Sequence, residues 1–295
     1  MSATTQQPAG GKSWKDLNKE HFDALPEDGF DIPWIRKMHL EVMDFLVENR
    51  AWLGIPETAD AAKGTGIRLL DYACGNGVLS LALSPFATHI RGMDISSTMV
   101  QRYNEAAAKK GLTPERMRAV EVDLTGDDAE AEAAAPGPEF RGFDLALVSM
   151  ALHHMEHPGA VLKGLTGRLA PGGRLLVIDW AKPTEEQAKQ GVAGLPVRHS
   201  QDQDAGHDQG HGHGHNHGHG QSSEQGGKNP ANALHTVVHQ GFSEKEMLDL
   251  FAGAGLVEGE VRLHPKLMDL PAKFGSKVQG FYAVAQKAPV TQSRA

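Results

Sequence analysis

The sequence has 295 residues, of which 22% are charged, 40% apolar and 6% aromatic. Its longest nearly unbroken apolar stretch, 145–152, is far shorter than the ~20 residues that span a bilayer, which excludes an integral membrane protein. The single cysteine, Cys74, excludes an internal disulfide and a multi-cysteine zinc site. A formal charge of −8 argues against broad affinity for nucleic acid, and the polar first twelve residues carry no targeting signal. We therefore expect a cytoplasmic protein that binds neither nucleic acid nor membranes.

Composition divides the chain into folded and unfolded segments. Residues 1–13 and 288–295 are predicted to be flexible tails, and residues 187–232 a disordered insertion rich in Gly, Gln, Asp and His. Such a segment lacks the large apolar side chains that offset the entropy lost on ordering. The segments 14–186 and 233–287 are predicted to form one domain that this insertion interrupts.

The first predicted elements are helical. A segment from Trp14 to Phe22 precedes a predicted helix that has Asp31 as N-cap, Pro33 in its first turn and apolar residues at helical spacing up to Trp52. We expect these two segments to cover the mouth of a ligand site as a lid.

From residue 67 onward, predicted strands and helices alternate. Strands are predicted at 67–73, 89–93, 117–122, 143–149 and 174–180. Helices are predicted at 78–83, from a serine cap at 96 or 97 to residue 110, and from Pro158 to a glycine-rich stop at 171–173. After the insertion, Ser243 and Glu246 form a capping box at the start of a helix over 243–252, and strands follow at 256–263 and 278–286.

This order of elements predicts the fold class. Strands that alternate with helices form a parallel sheet covered by helices on both faces. The last two strands have no helix between them and are predicted to pair antiparallel at the edge of the sheet. We expect an α/β protein with a doubly wound, seven-stranded, mostly parallel sheet that ends in an antiparallel hairpin.

The strongest chemical signal lies where the first strand meets its helix. Gly75 and Gly77 occupy that turn, where missing side chains let a ligand approach the backbone and the helix N-terminus offers free N–H groups. Asp94 and Asp123 end the second and third strands, at the sheet edge where open parallel sheets bind ligands. The regular placement of these acids favours a nucleotide site over a tight turn without a ligand.

A nicotinamide-dependent oxidoreductase is one alternative. Its fingerprint, Gly-x-Gly-x-x-Gly, uses a third glycine for close packing of helix on strand. Counting from Gly75 and Gly77, that third position is Ser80, and an acid, Asp71, precedes the turn. The fingerprint is therefore imperfect.

The chain resembles the class I methyltransferases that use S-adenosylmethionine, from about residue 67 to 180 and again from residue 241. Four segments carry the resemblance: Leu-Asp-Tyr-Ala-Cys-Gly-Asn-Gly at 70–77, Gly-Met-Asp-Ile-Ser at 92–96, the run at 143–154 that ends in Leu-His-His, and Leu-Ala-Pro-Gly-Gly-Arg-Leu-Leu at 169–176. Ala73 stands where the family often has glycine. Within the family the chain is most similar to fungal enzymes that methylate small molecules such as quinones, secondary metabolites or thiols. The fold is therefore expected to be Rossmann-like.

The resemblance implies a role for each matching position. The methionine end of the cofactor would lie in the glycine turn, among Asp71, Ala73, Gly75, Asn76 and Gly77. The ribose would meet Asp94, the adenine would meet Asp123 and Leu124, and the nucleoside would pack on Ile95 and Met99. The backbone of Ser149 would lie near the sulfonium, a cation that suits a net negative cleft.

Few special residues are needed for catalysis, because the cofactor supplies an activated methyl group. His154 is the predicted base or substrate-orienting residue, since histidine titrates near neutral pH, although a local hydrogen bond is the plainer interpretation. We expect Phe22, Trp34 and His153 to contact a small-molecule acceptor. Trp52 is predicted to be a packing residue, and the acceptor atom, O, S, N or C, is left open.

A run of histidines lies within the predicted insertion, from His207 to His219. Imidazoles on a flexible chain bind Zn²⁺ or Ni²⁺ adventitiously, but the run lacks the fixed spacing of a structural zinc site. We therefore expect a solvated low-complexity loop and no built metal site. The run leaves a metal-buffering protein as the second alternative to a methyltransferase.

Overall fold

The computed structural model describes residues 11–125, 136–195, 233, 235–270 and 277–289. The predicted tail 1–13 lies mostly outside these residues, and the histidine run lies wholly outside them. Within them, no helix is both long and apolar enough to cross a membrane.

The centre of the fold is a seven-stranded sheet. Its strands are β1 (Ile67–Tyr72), β2 (Ala87–Asp94), β3 (Met117–Glu121), β4 (Phe143–Ser149), β5 (Leu169–Ala181), β6 (Leu256–Asp269) and β7 (Lys277–Lys287). Their spatial order is β3-β2-β1-β4-β5-β7-β6. The first five run parallel, whereas β7 lies antiparallel to both β5 and β6. The predicted fold class, with its terminal antiparallel hairpin, is confirmed.

Helices cover both faces of the sheet. They are α1 (Trp14–Asp23), α2 (Pro33–Glu48), α3 (Val78–Leu83), α4 (Ser97–Lys109), α5 (Pro158–Arg168), α6 (Glu185–Lys189) and α7 (Glu244–Gly253). Strand residues alternate between two cores: Leu145 and Leu147 pack with α2, α3 and α4, while Ala146 and Val148 pack with α5 and α7. This period of two places both faces of the parallel strands in apolar surroundings.

Local capping sets several helix starts as the sequence predicts. The hydroxyl of Ser96 accepts a hydrogen bond from the N–H of Met99, and Ser243 forms its capping box with Glu246. At α2, by contrast, the N-cap is Ile32, and Asp31 instead forms an ion pair with Arg36 at 3.0 Å. Pro33 at the first helical position fixes the start of α2 without a side-chain cap.

Trp52 lies beyond the end of α2 and packs against the first of these cores. Its Nε1 donates to Glu260 Oε2 at 2.7 Å, and the guanidinium of Arg262 lies 4.1 Å above its ring. Both partners belong to β6, so Trp52 connects the lid region to the edge of the sheet.

Ordered structure continues into the segment that the sequence assigns to the insertion. Helix α6 extends to Lys189, Val192 bridges to Lys277, and Leu195 is buried. The capping box of Thr184 and Gln187 explains why a polar segment forms a helix here. The domain thus continues to residue 195, and the rest of the predicted insertion, 196–232, lies outside the described residues.

Candidate active site

A cavity of about 370 Å³ opens at the carboxyl ends of the parallel strands, beneath α1 and α2. Polar turns after β1, β2 and β4 form its floor, and the two lid helices, α1 and α2, contribute apolar side chains. Most of the sequence-predicted site residues line it: Phe22, Trp34, Asp71, Ala73, Gly75, Asn76, Asp94, Ile95, Met99, Ser149, His153 and His154. The structure therefore brings these residues together around one space.

The turn after β1 is built from left-handed backbone. Ala73, Gly75 and Gly77 have φ values of 52°, 51° and 81°. A Cβ on Gly75 would meet no protein atom within 4 Å, whereas one on Gly77 would lie 2.8 Å from Cδ2 of the fully buried Tyr103. Gly75 therefore leaves open space at the cavity, and Gly77 permits close packing beneath it.

Two buried carboxyl groups lie beside this turn. Asp94 accepts hydrogen bonds from the N–H groups of Gly75 and Ser96, both at 2.9 Å, and Asp71 accepts one from the Ser80 hydroxyl at 2.7 Å. Burial raises the pKa of Asp71 to about 7, with a further contribution from Asp94, and burial raises the pKa of Asp94 to about 6. Because their donors are neutral, both carboxylates suit a cationic ligand.

Three of the predicted cofactor residues do not line the cavity: Gly77 in the turn after β1, and Asp123 and Leu124 after β3. Their predicted roles stay predictions. Asp123 pairs with Lys15 of α1 at 2.5 Å, and the Leu124 N–H donates to the hydroxyl of Tyr72 at 3.1 Å. Helix α1 therefore lies against this strand end, and Thr125 is the residue from this segment that reaches the cavity.

The two adjacent histidines have different partners. His153 Nδ1 lies 2.7 Å from Oδ1 of Asp179, which is fully buried at the end of β5. His154 Nδ1 lies 3.1 Å from the carbonyl oxygen of Thr236. Burial, and next the neighbouring imidazole of His153, hold the pKa of His154 well below its usual value, so that this ring is neutral at physiological pH. The predicted base role of His154 stays a prediction.

The outer part of the cavity is apolar. Its walls come mainly from the lid helices and the loop between them, and from single residues of later segments, namely Phe22, Phe30, Trp34, Ile35, Met38, Val42, Leu195, Val237 and Leu270. Two polar atoms in these walls, Asn18 Oδ1 and Trp34 Nε1, are buried without a hydrogen-bond partner in the described part of the chain. A bound molecule with matching polar groups would satisfy them.

Asp179 and Asn18 were not predicted from the sequence. Asp179 carried a usable signal, because it is an acid within the buried apolar run 175–180. Asn18 carried none, since a single polar residue on a short polar helix looks like any exposed one. Cys74 is buried, and burial raises the pKa of its thiol well above the usual value, as expected for an unreactive packing residue.

The ranges that the structure describes hold no cluster of metal ligands. Within those ranges, no group of three or more His, Cys, Asp or Glu side chains is arranged to hold a metal ion. The histidine run from His207 to His219 falls outside them, so its predicted adventitious binding of Zn²⁺ or Ni²⁺ stays a prediction.

The chain is similar to known methyltransferases. It is 36% identical over 140 residues to an uncharacterized methyltransferase of Schizosaccharomyces pombe, covering 44% of this chain and 48% of that protein. It is 30% identical over 146 residues to the ubiquinone/menaquinone biosynthesis C-methyltransferase UbiE of Shewanella oneidensis, covering 50% of this chain and 55% of that protein. The chain thus spans about half the length of the curated relatives it matches.

Solved structures confirm the fold. The YcgJ protein of Bacillus subtilis superposes with a TM-score of 0.52 at 15% identity, over 85% of this chain and 99% of that one. The model of the methyltransferase domain matches residues 38–257, well over half of the chain. The chain therefore belongs to the methyltransferase domain family, whose cofactor is S-adenosylmethionine.

Proposed function

We propose that this protein transfers the methyl group of S-adenosylmethionine to a small, largely apolar acceptor. One observation carries the proposal: a single cavity joins the acidic glycine turn to the apolar chamber beneath the lid helices. In this proposal the turn binds a charged nucleotide, and the chamber binds a second, apolar molecule. The family assignment favours this function over the nicotinamide and metal-buffering alternatives.

The residues around the turn fit the cofactor. Gly75 leaves a space that a side chain would enter, and Asp71 and Asp94 line the same cavity, with carboxylates that accept only from neutral donors. In the proposed complex Asp94 holds the ribose, Asp71 lies near the cationic end, and Ile95 and Met99 pack on the nucleoside. When bound, the cofactor supplies a methyl group on a positively charged sulfur.

The chamber determines the acceptor class. Its apolar walls favour a ring or chain that loses water on binding, and the two buried polar atoms fix its orientation. UbiE is named for C-methylation in ubiquinone and menaquinone biosynthesis. That similarity supports a quinone-like ring as the acceptor.

The protein's own contribution is alignment and exclusion of water. Phe22 and Trp34 close the chamber from above, while the turn after β4 forms its floor at Ser149. Holding the acceptor in line with the methyl group replaces a collision in solution by a reaction within one complex, an advantage that reaches several kcal/mol in well-oriented systems.

Two measurements test the proposed function. Calorimetry of the full chain with S-adenosylhomocysteine is expected to show binding, and NADH under the same conditions is expected to show none. Incubation of the enzyme with methyl-labelled S-adenosylmethionine and a small-metabolite extract is expected to yield a labelled product that mass spectrometry identifies. Absence of S-adenosylhomocysteine binding by folded protein would refute the proposal.

The indole N–H of Trp34 provides a prediction about the acceptor. Trp34→Phe keeps an aromatic ring but removes the buried donor, so KM for the labelled acceptor should rise two- to tenfold, the effect of losing one hydrogen bond of about 0.5–1.5 kcal/mol. We expect kcat to change little. Trp52→Phe is the matched control, because its N–H serves Glu260 outside the cavity. Equal KM values for the two variants would contradict the role of Trp34.

A further inference from the structure

The geometry around His153 extends the proposed function to the acceptor's own chemistry. Asp179 accepts three hydrogen bonds, from the ring Nδ1 of His153 at 2.7 Å, from the backbone N–H of His153 at 3.1 Å and from the backbone N–H of Trp180 at 2.7 Å. A carboxylate only accepts, so Nδ1 of His153 carries the proton and Nε2 carries the lone pair. Asp179 thereby fixes the tautomer of a ring that lines the cavity.

The backbone of His153 is held as firmly as its ring. Its carbonyl oxygen accepts the N–H groups of Val238 at 2.9 Å and His239 at 3.0 Å, from the segment that follows the histidine run. The ring therefore has little freedom to turn away from the cavity. A fixed tautomer on a fixed ring is the arrangement that proton acceptance requires.

Asp179, His154 and His239 are ionisable groups near the His153 ring. Asp179 from β5 would balance a positive charge on that ring. The ring centroid of His154 lies 4.1 Å away, and burial and the neighbouring charge lower its pKa, so it stays neutral. Burial also lowers the pKa of His239, the third group that faces this position.

The polar atoms near the histidine pair determine which hydrogen-bonding groups a ligand needs here. The side-chain amide of Asn18 donates to the carbonyl oxygen of His154 at 3.3 Å, which places it beside the histidine pair. Its Oδ1 is buried without a partner in the described residues, and only 5% of Asn18 is exposed. Asn18 Oδ1 and His153 Nε2 are both acceptors. A ligand here needs one donor for each of them, such as a hydroxyl group toward Nε2, and the apolar walls around them suit an aromatic ring.

We infer that His153, held by Asp179, takes the proton from a phenolic hydroxyl of the acceptor. The O–H bond breaks, its proton joins the lone pair of Nε2, and its electron pair stays on oxygen as a phenolate. That phenolate carries the electron density that either O-methylation or methylation of an adjacent ring carbon needs. The proton leaves the imidazolium for water after the product departs. This inference rests on the proposed function and identifies its acceptor as a hydroxylated aromatic ring.

The test uses 4-nitrophenol, whose phenolate absorbs visible light. At a pH where the free probe is largely protonated, we expect its ionised fraction to rise severalfold on binding to the full chain. His153→Gln should abolish this rise. His89→Gln is the matched control, because His89 is a half-buried histidine with one backbone partner at the opposite end of β2, and it should behave like the unaltered chain. If 4-nitrophenol does not bind, or binds with the same ionised fraction to the unaltered chain and His153→Gln, the inference is wrong.

Asp179 is a positioning residue, so its test uses a spectroscopic signature. In ¹⁵N spectra, His153 is expected to be the Nδ1–H tautomer, and Asp179→Asn should shift it toward Nε2–H and reduce probe ionisation. If Asp179→Asn fails to fold, the ionised fraction of 4-nitrophenol bound to His153→Gln still tests the inference. Calorimetry with S-adenosylhomocysteine distinguishes failure of this inference from failure of the proposed function. Normal binding of S-adenosylhomocysteine without ionisation of 4-nitrophenol overturns this inference alone, whereas no binding of S-adenosylhomocysteine overturns the proposed function.

Discussion

Gly75→Ala is expected to weaken binding of S-adenosylhomocysteine at least tenfold and to lower the free energy of unfolding by only about 1 kcal/mol. The small loss of stability comes from left-handed backbone, which costs a residue with a Cβ about 1–2 kcal/mol. The added methyl group meets no protein atom, since the space beside Gly75 is open. That space belongs to the cavity, so the proposed ligand is what the methyl group displaces.

Gly77→Ala should have the opposite result. Its Cβ would lie 2.8 Å from the Tyr103 ring, at a φ of 81°. Strain and overpacking together are expected to lower the free energy of unfolding by about 3 kcal/mol. Binding to the fraction that stays folded should change less than in Gly75→Ala.

Denaturant unfolding and calorimetry on both variants measure these effects. Gly64→Ala provides the control, because Gly64 has a φ of 75°, nothing within 4 Å of a Cβ, and a position away from the cavity. It isolates the cost of the backbone conformation. If Gly75→Ala and Gly64→Ala bind S-adenosylhomocysteine equally, the turn does not form the proposed cofactor site.

The preference for S-adenosylmethionine over S-adenosylhomocysteine is expected to rise about tenfold between pH 5.5 and 8. The two ligands differ by a positive charge, and the pKa values of about 7 for Asp71 and about 6 for Asp94 mean that both groups lose their protons in this window. A cation gains from each new carboxylate, whereas a neutral sulfur does not. Asp71→Asn should flatten the curve, which paired titrations at each pH would measure. A preference that does not vary with pH would contradict this role for the carboxylates.

In the ligand-free protein, the raised pKa of Asp71 should make the free energy of unfolding fall as pH rises. A carboxyl whose pKa is raised in the folded state stabilises the protein below its unfolded pKa, near 3.8, and this contribution is lost as pH rises through about 7. Asp71→Asn removes that loss, so at pH 8 the variant should be more stable than the unaltered chain by about 2–4 kcal/mol. Asp44→Asn, at an exposed site on α2, should change stability little.

Elements with strong local signals were predictable from the sequence. The bounds of α3 and β4 agree with the prediction, because a glycine turn fixes one and a continuous apolar run fixes the other. β5 begins at Leu169 and not at Arg174, since Leu169 pairs with Phe143 on the neighbouring strand. Pairing between distant segments extended this strand through a proline and two glycines, which no local pattern indicates.

The site was predictable where it follows strand order. The order of strands along the chain places Asp71, Asp94 and Ser149 at one edge of the sheet. The strand order does not predict that Lys15 pairs with Asp123, because that contact depends on how α1 packs against the folded sheet. The pairing of His153 with Asp179 was hidden for the same reason: it joins the ends of β4 and β5 across the sheet.

The attachment of α1 has a consequence for how the enzyme responds to its medium. Lys15 reaches Asp123 at 2.5 Å and Lys19 reaches Glu121 at 2.7 Å, both near the protein surface. Added electrolyte screens such surface pairs, with a Debye length of about 8 Å at 0.15 M. Because Asn18 and Phe22 belong to this helix and line the cavity, the residence time of a bound ligand should depend on the ionic strength of the buffer.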